Sequence, residues 1–179
     1  MHTVELLPDD EADELVREAW AALAAAGMPS QAGHTHPTNR PHITLFTLPT
    51  MPPELRLALR DALSAALPLP LRITGPHVFP GRTSTLAWLV AADPALMELR
   101  VRLRELAEGA LGTECVRDDV QRPEDWRPHL TLGRSRRPGA WPALGSTSFP
   151  TLPDPPRAGM WTRARTYDSV PRTAEPLAP

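Results

Sequence analysis

Two hexapeptides of the chain, Arg40-Pro41-His42-Ile43-Thr44-Leu45 and Arg127-Pro128-His129-Leu130-Thr131-Leu132, differ at a single position, and there only by an isomeric swap. Side chains of a strand alternate between its faces, so His42 and Thr44 are predicted on one side and Ile43 and Leu45 on the other. His129 and Thr131 separate from Leu130 and Leu132 in the same way. Each strand then buries two aliphatic side chains and presents an imidazole and a hydroxyl to the opposite face. Two such strands facing one another line a cleft with two imidazoles and two hydroxyls. That set suits a phosphodiester. Displacement at phosphorus needs a base on the attacking oxygen and an acid on the departing one, and histidine's intrinsic pKa near 6.5 serves both roles. Threonine hydroxyls can donate to the non-bridging oxygens without a metal. One His-x-Thr on a strand is more often scaffold than site; its repetition in matching strand context is what points to chemistry. His34, His36 and His42 lie close enough in sequence to suggest zinc, but no cysteine or suitably spaced carboxylate joins them. The expectation is no metal and no cofactor.

The chain has 179 residues, 41% of them hydrophobic, enough to bury the core of one domain or of two small lobes. No apolar run approaches the roughly 20 residues that a membrane-spanning helix needs, and Met1 to Glu5 do not read as a secretion signal. A soluble, cytoplasmic, monomeric protein is expected. Cys115 is the one cysteine, which excludes an intrachain disulfide and a multi-cysteine zinc site. The net charge of −2 provides no global attraction for nucleic acid, so any RNA contact must be local. All 19 basic residues are arginine, which removes lysine as a catalytic candidate.

The elements that must position the hexapeptides follow from periodicity. Thr3 to Leu6 alternates as a strand, Asp9 and Asp10 offer helix-starting chemistry, and Ala12, Leu15, Val16, Ala19, Trp20 and Leu23 recur at helical spacing before Gly27. A polar loop over 28 to 40 leads into a strand over Pro41 to Leu48. Pro52-Pro53 starts a second helix through Ala66. Leu71 to Phe79 and Thr85 to Ala91 read as two strands around Gly81, and Asp93-Pro94 starts a third helix ending before Gly112. A short strand fits Glu114 to Val116, and a firmer one Pro128 to Arg134. Residues 138 to 158 are predicted irregular. Met160 to Asp168 alternates again, with Trp161, Arg163, Arg165 and Tyr167 on one face. The expected fold is α+β: a single bilobal domain over 1–170, with lobes of roughly 1–68 and 69–135 and a final strand at 160–168. Its antiparallel sheets face a central cleft, the helices lie outside, and 171–179 is a disordered tail.

The paired motifs resemble the 2H phosphoesterase superfamily, and within it the 2′-5′ RNA ligase / RNA 2′,3′-cyclic phosphodiesterase family, whose signature is two His-x-Thr motifs in two lobes. The likeness covers roughly residues 2 to 135. Phe79-Pro80, Leu86 to Leu89 and the extension through Gly133-Arg134 echo it. It implies that His42 and His129 are the acid–base pair, that Thr44 and Thr131 hold the phosphate, and that Arg134 contacts it. Strict alternation turns Arg134 away from the cleft unless Gly133 allows a bulge. Where many members carry an aromatic residue five positions after the first histidine, this chain has Thr47. Alternation offers Phe46 in its place as a substrate contact. The resemblance implies an enzyme opening RNA 2′,3′-cyclic phosphate ends or related small cyclic nucleotides, with weak reverse 2′-5′ RNA ligation. Cleavage of 2′-5′ linked oligonucleotides, and a nucleotide- or RNA-binding module without turnover, are the alternatives. The near-identical hexapeptides leave open which histidine is acid and which base.

Overall fold

The structure, a computed structural model, describes residues 1–117, 125–155 and 159–179. Strand β1 (His2–Pro8) leads through Asp9, whose carboxylate accepts from the Ala12 amide at 2.9 Å, into helix α1 (Asp10–Ala25). Strand β2 (Ile43–Leu48) carries the first hexapeptide, and α2 (Pro53–Ala66) begins on its two prolines. Then come β3 (Leu69–Leu71), β4 (Ile73–Phe79), β5 (Ser84–Val90) and α3 (Pro94–Leu111). The second hexapeptide opens β6 (His129–Ser135), and β7 (Gly159–Asp168) and β8 (Thr173–Ala178) close the chain.

Among the described residues all strand pairs are antiparallel. The larger sheet runs β2-β1-β7-β3, with β8 also paired to β7; the smaller runs β4-β5-β6. The architecture is therefore α+β with antiparallel sheets. One contiguous core joins both sheets to the three helices. Ile43, Leu45, Leu130 and Leu132, the aliphatic halves of the two hexapeptides, are all fully buried in it. None of the described helices is long and apolar enough to cross a membrane.

Several expectations are corrected. The strand read over Leu71 to Phe79 breaks at Arg72, and β3 pairs with β7 in the larger sheet, so the sheets divide between Leu71 and Ile73 rather than at residue 68. The tail at 171–179 is not disordered. It forms β8 on β7, because Leu177 and Ala178 find a place in the core and Arg56 of α2 pairs with Glu175. Around Glu114 the chain makes a 3-10 turn, Thr113–Cys115, and among the described residues of this segment Arg117 alone bridges to β2, at Thr47. Trp161 is 0% exposed and leaves the face of Arg163, since a register shift puts Leu7 opposite Arg163 but Pro8 opposite Trp161. The far end of the irregular connection expected over 138–158 lies outside the described residues.

Candidate functional site

The two motif strands share a bulge at the same place. On β2, Thr44 pairs with Glu5 and Phe46 with Val4, so Leu45 is the extra residue. On β6, Thr131 pairs with Ala87 and Gly133 with Leu86, which makes Leu132 the extra one. A one-residue bulge reverses the facing of everything after it. Phe46 therefore turns into the core, 1% exposed, and is not at the cleft, contrary to its expected role as a substrate contact. Thr47 returns to the face of Thr44. By the same reversal Arg134, pairing with Thr85, returns to the face of Thr131 and lines the cleft.

A bulge takes a carbonyl off the ladder, and a buried carbonyl needs a donor. Each half supplies it to the other. The indole Nε1 of Trp20 donates to the Thr131 carbonyl at 3.0 Å, and that of Trp126 donates to the Thr44 carbonyl at 3.1 Å. The buried Arg100 Nε donates to the Leu45 carbonyl at 3.1 Å. These links bind the two motif strands to elements of the opposite half. The position after the second bulge also requires glycine. A Cβ on Gly133 would stand 2.3 Å from the Pro29 carbonyl oxygen and 2.9 Å from the Trp141 ring. Gly133→Ala is expected to cost about 1–3 kcal/mol, read as a fall in the denaturant midpoint at unchanged m-value. A midpoint equal to the parent's would show that the loop at Pro29 yields freely.

Both histidines are oriented alike. His42 Nδ1 lies 2.6 Å from the Arg40 carbonyl and His129 Nδ1 lies 2.8 Å from the Arg127 carbonyl. A carbonyl only accepts, so each Nδ1 carries the hydrogen and Nε2 is the nitrogen that can exchange a proton. Arg40 and Arg127 thus serve the site through their backbone. The proline between carbonyl and histidine holds that turn extended.

A cleft of about 590 Å³ is lined by His42, Thr44, Thr131 and Arg134, with Thr3 and Glu5 of β1 and Arg165 and Tyr167 of β7. His129 stands outside that lining, with its ring against Phe79 at 4.7 Å between centroids. His34 and His36 line the cleft from the loop before β2. No group of three or more His, Cys, Asp or Glu among the described residues is arranged to hold a metal ion.

Sequence reasoning missed Glu5. It is 2% exposed, its Oε1 lies 3.6 Å from His42 Nε2 and accepts from the Thr3 hydroxyl at 2.6 Å, and its Oε2 accepts from Arg165 Nε at 2.7 Å. Burial by itself would raise the Glu5 pKa. The charges of His42 and Arg165 and the hydrogen bonds from Thr3 and Arg165 outweigh it, and hold the carboxyl below its ordinary range. The available signal was a carboxylate in the middle of a short apolar strand. With Glu5 already paired, the arginines leave the cleft positive. Among the described residues, Arg134, Arg136 and Arg172 line it without an ion-pair partner.

The overall arrangement is shared with solved structures. Kluyveromyces marxianus Usb1 superposes with a TM-score of 0.56 at 12% identity, over 98% of this chain and 96% of that one. LigT of E. coli complexed with 3′-AMP gives 0.57 at 20% identity, over 98% and 92%. TT0787 of Thermus thermophilus gives the same score, identity and coverage. At such identities these likenesses concern the fold alone. No curated protein matches in sequence. The family model of the 2′-5′ RNA ligase superfamily matches residues 8–156, most of the chain and both hexapeptides. With that match, the chain belongs to the 2′-5′ RNA ligase superfamily, a branch of the 2H phosphoesterases.

Proposed function

We propose that the protein is a two-histidine phosphodiesterase that hydrolyses 2′,3′-cyclic phosphate ends of RNA. The observation that carries this reading is the matched orientation of the two rings, each with Nδ1 held by the carbonyl two residues earlier. In the proposed reaction one imidazole takes a proton from water as the water oxygen bonds to phosphorus. A ring P–O bond breaks, and the departing ribose oxygen takes a proton from the other imidazole. Thr44 and Thr131 donate to the non-bridging oxygens, and Arg134 balances their charge. No step requires a metal or cofactor.

Glu5 distinguishes the two histidines. Its carboxylate, 3.6 Å from His42 Nε2, forms an ion pair only with a protonated ring. We therefore assign the acid's role to His42 and the base's role to His129. The ring available to stack on a base is that of Tyr167, not Phe46. Thr3 pairs with Thr47 on one side and Tyr167 on the other, so Tyr167 stands in the row of Thr47, the position at which the family resemblance leads one to expect an aromatic residue. In solved structures LigT is complexed with 3′-AMP and Usb1 with uridine monophosphate, which supports a nucleotide ligand for this cleft.

The test is a substrate panel: a 2′,3′-cyclic-ended oligonucleotide, a cyclic mononucleotide and a 2′-5′ linked dinucleotide, each with and without chelator. Turnover of the cyclic ester that persists in EDTA is expected. Turnover confined to the 2′-5′ linkage would replace the proposed substrate. Binding without turnover of any of them would make the protein a binding module.

A further inference from the structure

A second groove, about 730 Å³, lies between the β4–β5 turn and the segment that follows β6. Its size falls within the roughly 300–1,000 Å³ of ordinary ligand sites. Ser135 and Arg136 line both this groove and the cleft, so the two adjoin. Arg82, Arg136 and Arg137 line it and no carboxylate does. The remaining arginine pattern sharpens the contrast. Arg17, Arg40, Arg56, Arg72, Arg163 and Arg165 are each paired with an acid elsewhere on the molecule. Among the described residues Arg82, Arg136 and Arg137 have no such partner. The groove wall is anchored: Trp141 Nε1 donates to the Ser84 hydroxyl at 3.0 Å, and the Arg137 amide donates to the Ser135 hydroxyl at 3.0 Å.

Rings connect the groove to the site. Phe79 lies 4.7 Å from His129 on one side and 4.7 Å from His77 on the other, and His77 lines the groove. Strand pairing puts these β4 residues on the face that carries Thr131 and Arg134. His77 stands opposite Ala87, which stands opposite Thr131; Phe79 stands opposite Thr85, which stands opposite Arg134. Small side chains on β5 thus allow rings from β4 to reach β6. Aromatic faces beside a line of unpaired arginines are what a single-stranded nucleic acid contacts: bases stack, and phosphates meet the guanidiniums.

We propose that this groove binds the RNA strand adjoining the end held in the cleft, which makes the preferred substrate an oligonucleotide of several residues rather than a cyclic mononucleotide. The inference rests on the phosphodiesterase reading for its chemistry, but its binding prediction does not. A fluorescently labelled single-stranded RNA of one to five nucleotides ending in a 3′-phosphate is titrated into the full chain at several salt concentrations. Affinity is expected to rise about tenfold or more from one nucleotide to three, and to level off once the groove is filled. Each added phosphate contact should steepen the plot of log affinity against log salt by about 0.7. The exposed double variant Arg82→Gln/Arg137→Gln should remove most of the gain with length while leaving the mononucleotide's affinity in place. Length-independent affinity, or a double variant that keeps the parent's length dependence, overturns the groove. If length-dependent binding is found but no cyclic end is opened, the groove stands and the catalytic reading falls.

Discussion

Replacing His129 with alanine is expected to lower kcat for a cyclic-ended oligonucleotide by about 10²–10⁴-fold, and His42→Ala to do the same, because in the proposed mechanism each removes one partner of a general acid–base pair. Neither ring is a buried core group, so His129→Ala should unfold at the parent's denaturant midpoint, and His42→Ala should lose only what the ring's charge lends to Glu5. The two rings act in one step, and the double variant should therefore lose far less than the product of the single losses. A p-nitrophenyl phosphodiester separates the roles. Its leaving group departs without a proton, so His42→Ala should cost little on that substrate while His129→Ala still costs its full factor. The reverse pattern would exchange the assignments and remove the significance given to Glu5. Activity on the natural type of ester should be bell-shaped in pH, since one ring must be neutral and the other protonated, and the two limbs belong to the pair jointly. Parental turnover by either single variant would refute the two-histidine mechanism.

The second large effect concerns the ion pair beneath His42. Glu5→Ala leaves the Arg165 guanidinium, 9% exposed, without its carboxylate, and removing one partner of a buried pair typically costs about 3–5 kcal/mol. The double variant Glu5→Met/Arg165→Met should recover much of that loss, since what destabilises is the stranded charge. The pair also gives stability a pH dependence of definite sign. The Glu5 carboxyl is depressed in the folded protein, so its contribution is complete above its ordinary value near 4.5 and is lost as pH falls toward the folded value. Unfolding measured at pH 7 and again below pH 4.5 should show Glu5→Gln losing less than the parent on acidification. A single-variant cost below about 1 kcal/mol, or identical acid sensitivity in parent and Glu5→Gln, would show that the pair does not support the site.

Much of the scaffold was legible because it depends on local chemistry. Asp9 and the prolines at 52–53 and 94 mark helix starts, and the helical recurrence of Ala12, Val16, Ala19 and Leu23 gives α1 its buried face. The strand at Thr173–Ala178 was missed for the opposite reason. Its polar, proline-containing sequence has no strand signal of its own and forms only because β7 offers an edge and the core accepts Leu177. The same holds for the split between β3 and β4, which no local pattern announces.

For the candidate site, the sequence by itself determined that the aliphatic residues Ile43, Leu45, Leu130 and Leu132 are buried and that Thr44 and Thr131 face the cleft with His42, because strand alternation acts within two or three residues of the motif; that His129 stands outside the cleft lining was not legible in it. It could not determine what lies one residue further on. A bulge depends on which strand lies alongside and how the ladder is registered, and only the tertiary structure decided that Leu45 and Leu132 are the extra residues. From that decision follow the loss of Phe46 to the core and the return of Arg134 to the cleft. Glu5, Arg165 and Tyr167 join His42 because β1 lies between β2 and β7, a pairing across most of the chain's length. Alternation is a property of one strand and can be read from its residues. Which strands meet, and in what register, depends on the burial of the whole core, and no single segment of the chain contains that information.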